Sequence, residues 1–289
     1  MYHVNNAIIM AAGTSSRFAP LSFERHKGLT EVRGDILIER QIRQLREAGI
    51  DEIIVVTGYK AEQFQYLQGK FGVKLIHNPD YLTRNNNASI RVVREYLANS
   101  YICSVDNYFM INPFEAVVDD SYYAAIYAKG STQEWCMTEG ADGYINAVQI
   151  GGHDTWYMMG HTFWNAEFAQ KFLAILDAIY DQPETANLLW EGIYKEHLDE
   201  LKMKIRKYPS ESIFEFDTLD ELRKFDESYV DHSRSRILGR IAEQFGVREG
   251  EIVELMTQNS VDNAASGFSF RVKGERYACS YQDMKITQI

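Results

Sequence analysis

The feature that most constrains this chain is an apolar run, Ala7 to Ala12, that passes directly into Gly13-Thr14-Ser15-Ser16. The run reads as a buried strand. The small residues after it form a turn whose backbone N–H groups are exposed, and a glycine there lets a ligand come close. Arg17 and Lys27 are the two fixed positive charges within reach. A strand, a bare turn and two cations make a cradle for a triphosphate; the same pattern also fits any first β-turn of an α/β domain. No Gly-Lys-Ser/Thr follows, so this is not a Walker loop. The second and third glycines of the dinucleotide fingerprint are also missing.

The next segments keep a regular rhythm. Leu37 to Glu47 has helical apolar spacing and is closed by Ala48-Gly49. Glu52 to Thr57 is a second buried strand, Gly58-Tyr59 turns into a helix over Ala61 to Lys70, and Val73 to His77 is a third strand. Strand–helix alternation of this kind predicts a parallel, doubly wound sheet, with ligands at the carboxyl ends of its strands. Asn85-Asn86-Asn87 precedes a helix over Ser89 to Leu97; these amides serve either as an N-cap or as groups that read a base edge. Tyr101 to Tyr108 is a fourth strand carrying Asp106 near its end, placed as a magnesium ligand or as a turn residue.

From Tyr122 the pattern changes. Tyr122 to Ala128, Gln133 to Glu139 and Tyr144 to Ile150 read as separate strands, the last two joined by a turn at Gly140-Ala141-Asp142-Gly143. Gly151-Gly152 then leads into an aromatic stretch, Thr155 to Trp164. Phe163 and Trp164 are expected in the core, whereas Glu134 and Trp135 together suit a quaternary ammonium group through cation–π contact. Ala166 to Tyr180 is an amphipathic helix, and Pro183 opens a second helical segment running to about Leu201 with Trp190-Glu191 in it. After a strand over Met203 to Tyr208, Ile213 to Asp217 ends in a second candidate metal carboxylate, Asp217, followed by a helix to Phe225. Ser235 to Phe245 is helical, and Phe268 to Val272 with Arg276 to Ser280 reads as a hairpin about Lys273-Gly274-Glu275.

Composition narrows the partners. The 289 residues carry a formal net charge of −11, which argues against nucleic acid. Mean hydropathy is negative and no apolar run approaches about 18 residues, so no membrane span is expected. The N-terminus lacks a basic region followed by a long apolar core, so no secretory leader is expected either. Cys103, Cys136 and Cys279 are too few and too widely spaced for a disulfide framework or a zinc site, and the expected compartment is the cytoplasm. The histidines show no metal-type spacing; His26, beside Lys27, is the one expected near a ligand.

Taken in order, Ala11-Ala12-Gly13-x-x-Ser16-Arg17-x-x-Pro20-Leu21 with Lys27 resembles the signature of nucleotidyltransferases that join sugar phosphates or alcohol phosphates to nucleoside triphosphates. Gly58-Tyr59, Asn85-Asn86-Asn87-x-Ser89, Asp106-Asn107-Tyr108, Glu134-Trp135, Gly160-x-x-Phe163-Trp164 and Phe216-Asp217 resemble the bacterial choline-phosphate cytidylyltransferases within that group, over about residues 5 to 230. The resemblance implies a Rossmann-like GT-A type nucleotidyltransferase fold in residues 1–230, with a mixed, mostly parallel central sheet, and a small α+β appendage in residues 231–289. It implies transfer of CMP from CTP to phosphocholine with Mg²⁺. Ala11, Gly13, Ser16 and Arg17 would hold the nucleotide with Asn86, Ser89 and Asp106. Lys27 and Arg17 would be catalytic. Asp106 and Asp217 would hold the metal, and Glu134, Trp135, Tyr157 and Trp190 would face the choline. Phosphoethanolamine or 2-aminoethylphosphonate, or a sugar 1-phosphate, are the alternative acceptors, and an inactive nucleotide-binding module is the alternative outside catalysis. The group usually has proline where this chain has His26, which would loosen the loop or add a titratable contact to phosphate. Residues 259–281 resemble the opening hairpin of choline kinases; a kinase domain fused or lost at the C-terminus, and a tail inert in catalysis, follow from that resemblance.

Overall fold

The computed structural model describes residues 1–259 and 265–289, and the chain divides into two compact units. The first comprises Met1–Gly13 and Leu37–Glu215, the second Thr14–Ile36 and Phe216–Ile289.

The first unit is built on the apolar run. Its elements are β1 (Asn6–Ala11), α1 (Leu37–Glu47), β2 (Ile53–Thr57), β3 (Lys74–His77), α2 (Asn87–Val92), β4 (Ser100–Ser104), β5 (Asn107–Phe109), β6 (Tyr122–Glu139), β7 (Ile145–Trp164), α3 (Ala166–Ile179), α4 (Trp190–Lys195), β8 (Lys204–Lys207) and β9 (Ile213–Glu215). The main sheet has strand order β8-β6-β7-β4-β1-β2-β3. β1 lies parallel to β2 and β4, β2 to β3, and β6 to β8, while β7 runs antiparallel to both β4 and β6. The sheet is therefore mixed and mostly parallel, as expected. All five residues of β2 are buried, which explains why the central strands read as unbroken apolar runs rather than alternating ones.

Two expectations are corrected. Gly151-Gly152 does not end a strand: β6 and β7 form one long hairpin of 18 and 20 residues. Gly130 and Gly151, at φ +77° and +81°, sit where its register shifts, and bulges let the strands bend without stopping. Tyr157 consequently has Ile126 on one side and Cys136 on the other. The segment from Pro183 is likewise not one helix, but a 3₁₀ turn, Pro183–Asn187, followed by α4. Leu188 and Leu189 are extended between them, because Asn87 takes the carbonyls of Thr185 and Leu188 and Asn86 takes the Trp190 N–H. Those bonds replace the helix ladder there. Phe163 and Trp164 are core residues as expected; Trp164 packs on Phe168, Phe172 and Trp190.

The second unit contains α5 (Leu219–Phe225), α6 (Arg236–Phe245) and a four-stranded antiparallel sheet of β10 (Val253–Asn259), β11 (Ala265–Val272), β12 (Glu275–Ser280) and β13 (Ile286–Gln288) in that order. The hairpin expected about Lys273-Gly274-Glu275 joins β11 to β12, with Lys273 and Gly274 both at positive φ, as a two-residue turn requires. Phe268, Phe270, Ile237, Leu238 and Ile241 are buried in this unit.

One glycine fixes the end of β1. The Tyr59 N–H donates to the Ala12 carbonyl at 3.0 Å, and a Cβ on Gly58 would lie 2.7 Å from that oxygen and from Tyr81. Gly58→Ala is expected to lower stability by about 1–3 kcal/mol through overpacking, read as a lower midpoint in urea unfolding with an unchanged m-value.

Candidate active site

In the first unit, the acids gather at the carboxyl ends of the central strands. Beyond Ser104 the chain turns through Val105-Asp106 and returns as β5; the Val105 N–H donates to the Met10 carbonyl at 3.2 Å, which holds the turn beside the end of β1. From α1, Gln41 donates to the carbonyls of Ser104 and Asn107 at 2.8 and 2.9 Å. The Ser104 hydroxyl donates to Asp106 at 2.5 Å. β5 pairs with β9 so that Asn107 faces Glu215, and carboxylate oxygens of Asp106 and Glu215 come within 4.8 Å of one another. Two carboxylates and no sulfur or imidazole are the donor set that suits a hard divalent cation, so these residues fit the metal expected here. Asp106 was expected; Glu215 was not. Its signal is the alternation Phe214-Glu215-Phe216-Asp217, in which the sequence reading weighed only the last acid.

In the second unit, Asp217 binds both expected cations. Arg17 approaches one carboxylate oxygen at 2.8 Å and Lys27 donates to the other at 3.1 Å. Lys27 is only 2% exposed, a rare state for lysine outside an ion pair, and its ammonium also lies 5.9 Å from the Phe18 ring centre. His26 stiffens this turn rather than loosening it. Its Nδ1 accepts from the Gly28 N–H at 3.0 Å, and its φ of −61° is the value a proline ring would impose. Arg25 before it is extended, as a pre-proline residue would be. Histidine therefore keeps the proline backbone shape and adds a cap. Ser16 lies in the 3₁₀ turn Ser16–Phe18. In the first unit, Ala11 is buried at the end of β1, and a Cβ built on Gly13 meets nothing within 4 Å, so its lack of a side chain answers no packing demand there.

The expected choline residues lie along β6, β7 and α4 of the first unit. Glu134 is exposed and Trp135 half-buried, with its ring against the core and 3.9 Å from where a Cβ on Gly192 would stand. The Tyr157 hydroxyl is pushed up to about 12 by burial and by the charges of Glu134 and Glu215, which places it amid these acids. Trp190 is 1% exposed and stacked on Tyr123 at 5.6 Å, so it forms a wall, not an open face. With Met10, Asn86, Tyr123 and Glu191 it lines a cavity of about 70 Å³.

Glu191 and Tyr123 were not expected in the site. Tyr123 and Asn86 donate to the two Glu191 oxygens at 3.2 and 3.1 Å, while Asn86 accepts from the Trp190 N–H at 2.7 Å. The three asparagines thus clamp α2 to α4 and its approach; no side-chain N-cap forms at α2. Ser89 is buried and accepts from Asn78 at 3.2 Å. Burial raises the Glu191 carboxyl to about 7, against the pull of its two donors. Between the ordinary value of 4.5 and 7 the folded protein then holds a proton that the unfolded chain has lost. Stability from this group is present at low pH and lost as pH rises through 7. Glu191→Gln, whose amide oxygen accepts from Asn86 and whose NH2 donates to the Tyr123 hydroxyl turned to accept, is expected to remove that loss. In thermal melts from pH 5 to pH 8 the variant gains on the wild type as pH rises; parallel curves would count against a raised Glu191.

Residues 7–135 match the MobA-like NTP transferase domain. The choline-phosphate cytidylyltransferase of Streptococcus pneumoniae is 36% identical over 76% of this chain and 96% of its own length. The 2-aminoethylphosphonate cytidylyltransferase of Lancefieldella rimae is 34% identical over 78% of this chain and 93% of its own length. The solved structure of the CTP:phosphocholine cytidylyltransferase from S. pneumoniae covers 78% of this chain and 99% of that one, with a TM-score of 0.75 at 36% identity. A putative glucose-1-phosphate thymidylyltransferase from Bacillus anthracis, at 15% identity and a TM-score of 0.63, shares the fold. The chain is a nucleotidyltransferase, and it belongs to the choline-phosphate cytidylyltransferase family.

Proposed function

We propose that this enzyme transfers CMP from CTP to phosphocholine, releasing pyrophosphate, with residues 1–230 as the catalytic domain. The observation that carries the reading is the Asp106–Glu215 carboxylate pair at the end of the parallel strands, with Tyr157 amid the same acids. Oxygen ligands suit a nucleotide-bound Mg²⁺, and aromatic faces beside carboxylates suit a trimethylammonium. Asp106 and Glu215 would hold the ion. Mg²⁺ supplies charge neutralisation on the triphosphate.

A phosphate oxygen of phosphocholine forms a bond to the α-phosphorus of CTP as the bond to the β-phosphate oxygen breaks. Phosphocholine is already anionic, so no general base is required. The obstacle is repulsion between two phosphates, and preorganised cations lower it. Arg17 binds the leaving phosphates and Lys27 bridges the α-phosphate and the incoming one. The backbone at Gly13 and Ser16 lies along the triphosphate; Asn86 and Ser89, whose polar atoms are taken by Glu191, Trp190 and Asn78, stand behind the cytosine and ribose rather than reading them. Glu134, Trp135 and Tyr157 line the choline pocket, with Trp190 as its buried wall. The buried free thiols of Cys103, Cys136 and Cys279 support a cytoplasmic setting. The number of acids around the rings favours one second reading, 2-aminoethylphosphonate as acceptor, because a primary ammonium needs hydrogen-bond acceptors.

Pyrophosphate release with CTP or UTP, against phosphocholine, phosphoethanolamine, 2-aminoethylphosphonate and glucose 1-phosphate, tests the reading; CTP with phosphocholine is expected to give the highest kcat/KM. Lys27→Ala is expected to lower kcat roughly 100-fold or more, by analogy with losing one oxyanion donor, and wild-type turnover would remove Lys27 from the mechanism. Trp135→Ala is expected to raise KM for phosphocholine by about 3- to 30-fold, the range of a cation–π contact, with little change in KM for CTP.

A further inference from the structure

We infer that the C-terminal sheet and helix position the loop that carries Arg17 and Lys27, and so act in nucleotide binding although they lie beyond the part of the sequence that resembles the family. The inference rests on the reading of those two cations given above. It reverses the expectation that the tail is inert.

Residues 14–36 form only short elements: the 3₁₀ turns Ser16–Phe18 and Lys27–Leu29, one helical turn Leu21–Glu24, and a two-residue ladder. Such a segment has little hydrogen bonding of its own with which to offset the entropy of being ordered. Within the second unit it is fastened from outside at three places spread over its catalytic part. The Thr257 hydroxyl, on β10, donates to the carbonyl of Ser16, the residue before Arg17. Midway between the two cations, Glu24 accepts from the N–H groups of Arg236 and Ile237 at 3.0 and 2.8 Å and from the Ser235 hydroxyl at 3.2 Å. Its carboxylate thus meets the unpaired N–H groups and the positive dipole end of α6, while the Ser235 hydroxyl also accepts from Leu238. Next to it, the Phe23 ring lies flat on Tyr281, with centroids 3.9 Å apart and planes 6° from parallel.

Each anchor has one end in the loop and the other in residues 235–281. The S. pneumoniae relative is matched over 96% of its length by only 76% of this chain, so this chain has material that the relative lacks. A hydroxyl, a carboxylate and a ring of the loop's own unit therefore hold the backbone just before Arg17 and between the two cations. Reactions that depend on placed charges lose rate steeply when those charges shift by an ångström.

The test uses the full chain with three separate substitutions: Thr257→Val, Glu24→Ala and Tyr281→Ala. Each is expected to raise KM for CTP about 5- to 10-fold, the scale of one lost hydrogen bond or ring contact, while KM for phosphocholine, whose phosphate meets the loop at Lys27 alone, rises less. Thr257→Ser, which keeps the hydroxyl, is expected to restore the wild-type KM. Circular dichroism identifies any variant that has lost its fold, and the remaining ones decide. Folded variants with wild-type CTP kinetics would overturn the inference, as would equal increases in both KM values or a Thr257→Ser protein as impaired as Thr257→Val. Lys27→Ala in the same assay separates the two claims. If it is inactive while the anchor variants behave as wild type, the loop binds nucleotide but the tail does not position it. If Lys27→Ala is itself unimpaired, the reading of the loop fails first.

Discussion

The ion pairs of Asp217 are the interaction on which the proposed chemistry depends. A lysine almost closed off from water is costly to keep without an opposite charge, and Asp217 supplies that charge to Lys27 while also holding Arg17. Whatever fixes Asp217 therefore fixes both cations. The fixing is done by the start of α5. Glu221 reaches back to accept from the N–H groups of Asp217 and Thr218 at 2.7 and 3.0 Å, while Thr218 accepts from the Glu221 N–H. This capping box stabilises a helix, and here it also holds the backbone of the residue that pairs with Arg17 and Lys27. A protein of net charge −11 can serve polyanionic substrates because its few needed cations are placed individually.

Much of this was legible in the sequence, for reasons that differ from residue to residue. β1 and β2 were legible because a strand buried on both faces leaves an uninterrupted apolar run. Asp106 and Asp217 were legible because each is an acid at the end of such a run. Glu215 was hidden between two phenylalanines, and Glu191 on a short helix, where nothing in the local pattern separates a site acid from a solvent-facing one. Tertiary structure alone brings Glu191 onto Asn86 and Tyr123. The asparagine run suggested a cap or a base reader, but its amides are spent on Glu191 and on the backbone between Thr185 and Trp190. The continuity of the long hairpin was hidden too, since a glycine pair that permits a bulge looks in sequence like one that ends a strand.

The His26 position shows how one backbone shape can be reached by two kinds of residue. A proline would set φ covalently; His26 reaches the same φ and holds it with a ring nitrogen on the Gly28 N–H. A sequence reading that weighs only the lost rigidity of proline predicts a looser loop. The hydrogen bond answers that, and it acts on the turn in which Lys27 stands.

The units also divide charge. Arg17 and Lys27 belong to the second unit; the Asp106–Glu215 pair, Glu134, Glu191 and the rings of Trp135 and Tyr157 belong to the first. Under the proposed reading, a cation placed among the acids of the first unit would be neutralised and one placed among its rings would compete for their faces. The raised Glu191 fits the same logic. A carboxyl that is half protonated near neutrality adds less negative charge to an already acidic wall than an ordinary glutamate would, yet keeps its oxygens as acceptors for Asn86 and Tyr123. Under the proposed reading, aromatic faces then have more weight in choosing the amine, and they favour the trimethylated one.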